Sequence, residues 1–223
     1  MLFDLGGTLA YVHASAWNEY ERNLLFTLKI HGHRFTLKQL REALDKLYLG
    51  NTQGAFRDYT QYWTAFIKEQ SIYPQADLVK SLEVVRKQTI SKPFKLYSRV
   101  VPTLSRLHEK YRLALVSNCS MGTIDEINNL DLSRFFEHMS LSYEVGVRKP
   151  DRRIYLDALN ALAVKGHECI FVADEISDLE GARSLRMKTL LVRQGSSTYN
   201  EAKDPNFKPD ADCKRISEIT RFL

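Results

Sequence analysis

The chain opens with Met1-Leu2-Phe3-Asp4-Leu5-Gly6-Gly7-Thr8-Leu9, and this stretch decides the fold. Three apolar residues run directly into an acid, which predicts a short buried strand with Asp4 at its carboxyl end. The glycines favour a sharp turn and a close approach of a ligand, and the Thr8 hydroxyl can hold that turn. Taken alone, the pattern favours a turn in which Asp4 bonds its own backbone, and only three later stretches of the sequence favour the functional interpretation. Because three residues are few for a central strand, we expect either a clipped strand or a true start upstream of Met1.

Composition narrows the class of protein. The 223 residues are 44% hydrophobic and 11% aromatic, which is ample for a packed core. No run approaches the ~20 apolar residues of a membrane span, and we expect neither a membrane partner nor a secretory signal. The sparse cysteines Cys119, Cys169 and Cys213 indicate reduced thiols in the cytoplasm, not disulfides or a zinc site. The net charge of +5 is dispersed, so it favours a small anionic substrate over nucleic acid. Nothing indicates an oligomeric state.

Residues 14–90 carry helical periodicity and no strand pattern. We expect helices over 14–30, from Thr36 to Gly50, over 55–70 and over 76–89, with residues 10–13 as a connector. Thr36 followed three residues later by Gln39 is a capping-box pattern. The third helix carries an aromatic stripe that is typical of a core. In a second interpretation, one ring of that stripe, Tyr59 or Tyr62, lines a substrate pocket.

After Pro93 the pattern changes to alternating strands and helices. Strands are expected at 113–116, 139–143, 169–173, 189–192 and near 211, with helices between them and a terminal helix from Ile216. This βαβ order predicts a mostly parallel sheet. Asp4, Ser117-Asn118 and Asp174 each end a predicted strand, and the carboxyl ends of parallel strands share one edge. Lys149 precedes a proline that opens a helix, which would bring it to the same edge.

In order and content, four stretches resemble the motifs of the haloacid dehalogenase-like (HAD) hydrolase superfamily. They are Asp4-Leu5-Gly6-Gly7-Thr8, Val116-Ser117-Asn118, Lys149-Pro150-Asp151 with Tyr155, and Ala173-Asp174-Glu175-Ile176-Ser177-Asp178 with the following Leu179-Glu180-Gly181-Ala182-Arg183. The resemblance implies a Rossmann-like three-layer α/β/α core with a mostly parallel sheet, formed by residues 1–12 and 96–223. It also implies an all-helical cap domain over residues 13–95, between the first and second motifs.

The resemblance implies a phosphatase that acts on a small phosphorylated metabolite. Asp4 would attack phosphorus and form an aspartyl-phosphate, with Lys149 as the second catalytic group. Ser117, Asn118 and Thr8 would bind the phosphate through hydrogen bonds.

The same resemblance implies a Mg²⁺ cofactor. Its ligands would be Asp4, the backbone carbonyl of Gly6, Asp174 and Asp178, since Mg²⁺ prefers oxygen ligands. A carboxylate that approaches a phosphate dianion is repelled by roughly 8 kcal/mol, for two like-charge contacts near 4 Å at a dielectric of about 20. A cation is needed to offset this repulsion. Asp178 equally fits a helix cap.

The chain departs from the resembled phosphatases at Gly6, where they place a second acid two residues after the nucleophile. Losing a general acid typically costs 10²–10⁴-fold in rate. His13, and after it Tyr11, are the candidates for a replacement acid or base. Two alternatives stay open: a metal-independent 2-haloacid dehalogenase, against which Asp174 argues, and a protein that binds a phosphorylated ligand with little turnover. The substrate itself is not indicated.

Overall fold

A computed structural model describes residues 1–73, 75–89, 94–195 and 204–223. The boundary expected at Pro93 lies outside these residues, as does part of the polar loop that precedes the last strand. None of the helices in the described ranges is long and apolar enough to cross a membrane. Cys119, Cys169 and Cys213 are buried free thiols, as expected from their spacing.

The centre of the protein is a parallel sheet of six strands. The strands of this sheet and of a separate two-stranded ribbon are β1 (Leu2–Phe3), β2 (Ala10–Val12), β3 (Phe94–Leu96), β4 (Ala114–Ser117), β5 (His138–Leu141), β6 (Ile170–Ala173), β7 (Lys188–Val192) and β8 (Ala211–Cys213). The large sheet has the order β5-β4-β1-β6-β7-β8, and every pairing in it is parallel. The predicted α/β class with a mostly parallel sheet is confirmed.

Helices cover both faces of this sheet. They are α5 (Val100–His108), α6 (Thr123–Asn129), α7 (Ser142–Val145), α8 (Arg152–Ala161) and α9 (Ile176–Arg183). Successive strand residues point to opposite faces. Phe3 therefore packs with Leu104 of α5 in one apolar cluster, and Leu2 packs with Ile154 of α8 and Leu179 of α9 in another. The result is the expected three-layer arrangement of helices, sheet and helices.

Four helices between the two strands of the ribbon form a further apolar cluster of their own. They are α1 (Ala14–Ile30), α2 (Leu37–Thr52), α3 (Tyr59–Glu69) and α4 (Ala76–Thr89). Trp63 and Phe66 of the aromatic stripe are fully buried in this cluster. The capping box at the start of α2 is confirmed, because Thr36 and Gln39 exchange side-chain and backbone hydrogen bonds. The bounds of the two domains, 1–12 with 96–223 and 13–95, stay a prediction.

Several elements differ from the sequence-based expectations. Residues 10–13 are not only a connector, because Ala10–Val12 pairs antiparallel with Phe94–Leu96. The helix expected from 55 begins at Tyr59, where Asp58 caps it by accepting a hydrogen bond from the backbone of Gln61 at 2.8 Å. The helix expected to end at Gly50 continues to Thr52.

The fifth strand ends earlier than expected, and the last helix of the chain has a different form. The strand expected over 139–143 ends at Leu141, and α7 follows until Gly146, whose φ of 79° ends it. Such positive φ values favour glycine. The terminal helix is present as a 3-10 helix over Ile216–Phe222.

Candidate active site

Asp4 lies at the carboxyl end of the central strand. β1 is hydrogen-bonded to β4 on one side and to β6 on the other. The backbone N–H of Asp4 donates to the carbonyl of Val172 at 2.9 Å, which continues the ladder one residue beyond the strand. The Asp4 side chain is therefore held at the edge where the sequence predicted it, and the residue is only 6% exposed.

Lys149 contacts two carboxylates from different parts of the chain. Its Nζ lies 2.6 Å from Oδ1 of Asp4 and 2.7 Å from Oδ2 of Asp178, and all three side chains are almost completely buried. The sequence predicted that Lys149 would reach this edge, and the structure brings it into direct contact with Asp4. The contact with Asp178 was not predicted, since no spacing rule links the two motifs.

Asn118 holds the backbone of Lys149 from both sides. Its Nδ2 donates to the Lys149 carbonyl at 3.2 Å, and its Oδ1 accepts from the Lys149 N–H at 2.7 Å. The amide therefore fixes the segment that carries the lysine. The expected role of Asn118 in phosphate binding stays a prediction. The second hydrogen on Nδ2 is the one that could be donated to a phosphate. Ser117, the last residue of β4, is buried beside it.

Asp174 follows β6 and lies against the turn after Asp4. A Cβ atom on Gly7, whose φ is 72°, would lie 1.8 Å from Oδ2 of Asp174. Only glycine fits there, because a side chain would meet both the carboxylate and an unfavourable backbone region. Thr8 is fully buried, and its hydroxyl donates to Oδ1 of Asp174 at 3.3 Å. In this structure the Thr8 hydroxyl thus contacts a carboxylate, and its expected phosphate contact stays a prediction.

Burial and neighbouring charges shift the pKa values of the carboxylates and the lysine in this site. Asp4, Asp174 and Asp178 are each at most 6% exposed, and Lys149 is the cation that contacts two of them. Burial, followed by the neighbouring carboxylates Asp178 and Asp174, raises the pKa of Asp4 to about 7, although Lys149 opposes this. Burial alone would lower the pKa of Lys149, but the carboxylates of Asp178 and Asp4 outweigh it and raise that pKa. Among the described residues, three buried carboxylates thus lie near Lys149, and further positive charge would stabilise the ionised form of Asp4.

These residues fit Mg²⁺ in charge and in ligand type, but they do not surround one point in this structure. In the described parts of the chain, no group of three or more His, Cys, Asp and Glu residues is arranged to hold a metal ion. Asp4 and Asp178 are turned toward Lys149, and Asp174 is bonded to Thr8. Hard carboxylate oxygens with surplus negative charge are nevertheless the donors that Mg²⁺ prefers.

A cavity of about 670 Å³ opens between the sheet edge and helices α1–α4. Leu5 and Gly6, which directly follow Asp4, line it together with Ser117 and Asn118. A Cβ atom added to Gly6 would have no neighbour within 4 Å. The space that a second acid would occupy after the nucleophile is therefore open, and a ligand can approach the backbone of Gly6 closely.

Aromatic side chains from the helices form much of the opposite wall. Tyr59 and Tyr62 both line the cavity, in agreement with the second interpretation of the aromatic stripe. His13 is exposed at the start of α1, with Nδ1 2.6 Å from the Ser15 hydroxyl, and does not line the cavity. Tyr11 packs against Tyr97 in the ribbon, with ring centroids 4.9 Å apart. The acid–base roles of His13 and Tyr11 stay predictions.

Sequence reasoning missed several polar residues of the cavity wall, among them Tyr48, Arg86 and Glu126. Tyr48 lies in α2 and Arg86 in α4. The periodicity of these segments predicts a helix but indicates no functional role for either residue. Glu126 is 7% exposed, which is rare for an acid that has no ion pair among the described residues. A periodicity argument on α6 could have placed it near the inward-facing Ile127, but the short helix gives few positions to define a face.

Comparisons with known proteins agree with this arrangement. A family model described as haloacid dehalogenase-like hydrolase matches residues 1–186. The chain is 26% identical to a glyceraldehyde 3-phosphate phosphatase of Methanopyrus kandleri over 226 residues, 98% of this chain and 94% of that protein. It is 37% identical to the glyceraldehyde 3-phosphate phosphatase of Pyrococcus furiosus over 134 residues, 57% of this chain and 54% of that one. A 2-haloacid dehalogenase from Pseudomonas syringae pv. Tomato DC3000 has the same fold, with a TM-score of 0.77 at 19% identity over 99% of this chain and 95% of its own.

Proposed function

The chain belongs to the haloacid dehalogenase-like hydrolase family, and we propose that it is a Mg²⁺-dependent phosphatase of a small phosphorylated metabolite. The relatives named as phosphatases favour this activity over a dehalogenase. One observation carries the proposal: the buried carboxylate of Asp4 contacts Lys149 at the sheet edge, next to a cavity that Gly6 opens.

Asp4 acts as the nucleophile in this proposal. An Oδ atom forms a bond to phosphorus while the bond from phosphorus to the ester oxygen breaks, and the leaving oxygen takes up a proton. The resulting aspartyl-phosphate is then hydrolysed by water, which releases phosphate and regenerates Asp4. Lys149 holds the carboxylate in one orientation and supplies positive charge beside the transferred group.

Asp4, the Gly6 carbonyl, Asp174 and Asp178 would hold Mg²⁺. When bound, the ion supplies positive charge that offsets the repulsion between carboxylate and phosphate. Thr8 orients Asp174 through its hydrogen bond, and Gly7 lets the carboxylate approach the turn. Ser117 and Asn118 would donate hydrogen bonds to phosphoryl oxygens. This arrangement uses every member of the buried cluster.

Gly6 cannot protonate the leaving oxygen. We therefore expect p-nitrophenyl phosphate, whose leaving group needs little protonation, to be cleaved faster than an alkyl phosphate. His13 is the proposed acid–base candidate because its neighbours Val12 and Ala14 line the cavity. Equal turnover of both substrates would contradict the argument that a general acid is missing. If His13→Ala leaves the ratio of alkyl phosphate to p-nitrophenyl phosphate turnover unchanged, His13 is not the acid.

Residues 13–95 would act as the cap that selects the substrate, and residues 1–12 and 96–223 as the catalytic core. Glyceraldehyde 3-phosphate, the substrate in the names of the two relatives, is the first compound to assay. The buried thiols agree with a reducing compartment, so we place the protein in the cytoplasm.

A screen of metabolite phosphates with and without Mg²⁺ tests the function. We expect phosphate release that EDTA abolishes and that Asp4→Asn reduces to background. Activity that Asp4→Asn leaves unchanged would refute the nucleophile. Chloride release from 2-chloropropionate without Mg²⁺ would favour the dehalogenase instead, and binding of phosphate esters without any turnover would favour a phospho-ligand-binding protein.

A further inference from the structure

Glu126 is a buried acid that the proposed chemistry does not use. It lines the cavity from α6 and is 7% exposed, and its carboxylate has no hydrogen bond or ion pair within the described residues. Burial and the neighbouring Asp125 raise the pKa of this carboxyl to about 7, while Arg86 opposes them. The Glu126 oxygens are not among the described buried polar atoms without a hydrogen-bond partner, so they are reached by the solvent of the cavity. A ligand that enters the cavity can therefore supply the partner that this carboxylate lacks in the described part of the chain.

Arg86 reaches the same part of the cavity from α4 and is held rigidly. Its Nε and Nη2 each donate to Glu83 at 2.8 Å, and its guanidinium lies 3.6 Å from the centre of the Tyr59 ring. Its remaining nitrogen, Nη1, has no hydrogen-bond partner in the described part of the chain. The bidentate pair and the ring together fix the direction in which Nη1 can donate.

Gly122 creates the space that Glu126 and Arg86 share. A Cβ atom on Gly122 would lie 3.5 Å from Nη1 of Arg86 and 2.7 Å from the Tyr59 hydroxyl. Glu126 lies four residues further along α6, on the same helical face, and helical side chains lean toward the N-terminus. The carboxyl of Glu126 therefore leans toward the gap above Gly122 that Nη1 borders. The two opposite charges form no ion pair across it.

We propose that Glu126 and Arg86 form a subsite that binds a hydroxyl group on the part of the substrate distal to its phosphate. A hydroxyl donates to the carboxylate of Glu126 and accepts from Nη1 of Arg86, so it satisfies both groups. An ammonium group has no acceptor for Nη1 of Arg86, and a carboxylate has no donor for Glu126, so each would satisfy only one of the two groups and be repelled by the other. Because Tyr59 and Tyr62 line the cavity nearby, the part of the substrate between phosphate and hydroxyl is apolar or aromatic. The substrate class is a phosphate monoester of a compact diol with an apolar body.

The inference rests on the proposed function only in taking the phosphate end of the ligand to lie beside Gly6 and Ser117. A binding test that needs no turnover separates the two. The probes are benzylphosphonates with a para hydroxymethyl, 2-hydroxyethyl or 3-hydroxypropyl group, each paired with its isostere ethyl, propyl or butyl. Calorimetry on the full chain with Mg²⁺ gives a Kd for each member of each pair.

We expect at least one hydroxylated probe to bind about tenfold to a hundredfold more tightly than its isostere, the range of a hydrogen bond to a charged group. Glu126→Leu should abolish that preference, and Glu126→Gln should restore part of it because the amide keeps an acceptor oxygen. Asp125→Asn is the matched control: it removes an exposed charge from the preceding residue of α6. Because Asp125 raises the pKa of Glu126, this change favours the carboxylate form of Glu126 and should keep the preference. The urea midpoint of each variant verifies that it is folded.

Equal binding of both members of every pair, or no binding of any probe, would overturn the subsite. A preference that survives in Glu126→Leu would overturn it as well. Turnover of the corresponding benzyl phosphates is measured separately. Asp4-dependent turnover without a preference for the hydroxylated probes would leave the phosphatase intact and remove the subsite. Tighter binding of the hydroxylated probes without Asp4-dependent turnover would support the subsite and contradict the phosphatase.

Discussion

Replacing Asp4 by asparagine should stabilise the metal-free protein, and the gain should depend on pH. The pKa of Asp4 is raised from 3.8 to about 7 in the folded protein, chiefly by burial. The folded state therefore holds the Asp4 proton more tightly than the unfolded state. The stability associated with this proton is fully present below pH 3.8 and is lost as the pH rises toward 7. Asparagine has the same shape and no charge, and Lys149 keeps Asp178 as its partner.

The size of this effect follows from the shift itself. Each pKa unit corresponds to about 1.4 kcal/mol, so a shift of about three units makes ionised Asp4 cost about 4 kcal/mol at pH 8. At pH 4.5 the same linkage gives about 1 kcal/mol, because the folded state keeps its proton there. The difference of about 3 kcal/mol between the two pH values is independent of any constant cost of packing asparagine.

Urea unfolding in EDTA at pH 8 and pH 4.5 measures the difference. With a slope of about 2–3 kcal/mol per molar urea, we expect the midpoint of Asp4→Asn to exceed that of the wild type by more than one molar at pH 8. Asp151→Asn is the control, because Arg153 holds the pKa of that exposed carboxyl at about 2, so the shift has the opposite sign. If Asp4→Asn raises the urea midpoint equally at both pH values, or lowers it at pH 8, the reasoning is refuted.

Three further substitutions test other parts of the site. Lys149→Met leaves two buried carboxylates without their cation and should cost about 3–5 kcal/mol in urea unfolding at pH 8; a cost below 1 kcal/mol would mean that the ion pairs are not formed. Gly6→Asp adds a carboxylate where the space is open and should raise the ratio of alkyl phosphate to p-nitrophenyl phosphate turnover by about tenfold or more; an unchanged ratio would show that protonation of the leaving group is not limiting. Gly7→Ala should lower both stability and activity, because its Cβ would overlap Asp174, whereas Gly32→Ala, with a similar φ and open space, should cost only about 1 kcal/mol; equal stability losses would place the effect in the backbone alone.

Much of the fold was predictable because it follows from local patterns. The apolar runs that became β4 and β6 lead directly into Ser117 and Asp174 of the candidate site, and α1 to α4 follow plain helical periodicity. The ribbon of β2 and β3 was missed for a physical reason. Each strand has three residues and its partner lies some eighty residues away in the sequence, so neither alternation nor a turn signal marks the pairing.

The candidate site divides in the same way. The sequence could predict that one edge of the sheet carries Asp4, Lys149 and Asp174. The reason is that the carboxyl ends of parallel strands lie at the same edge. The Lys149–Asp178 contact and the gap between Arg86 and Glu126 depend on how helices from distant segments pack, which no spacing in the sequence encodes. The contact of the Thr8 hydroxyl with Asp174 was not predicted either, and the expected contact of Thr8 with a phosphate stays a prediction.

The β2–β3 ribbon has a consequence for how the cavity can change shape. The chain leaves the sheet toward the four helices along Ala10–Val12 and returns along Phe94–Leu96, and these two passages are hydrogen-bonded to each other. The two strands that connect the sheet to the four helices therefore move together. Rotation about the ribbon axis is the displacement that keeps this pairing intact, whereas sliding the helices sideways would shear it. A rotation of this kind would change the width of the cavity mouth without breaking a hydrogen bond of the ribbon.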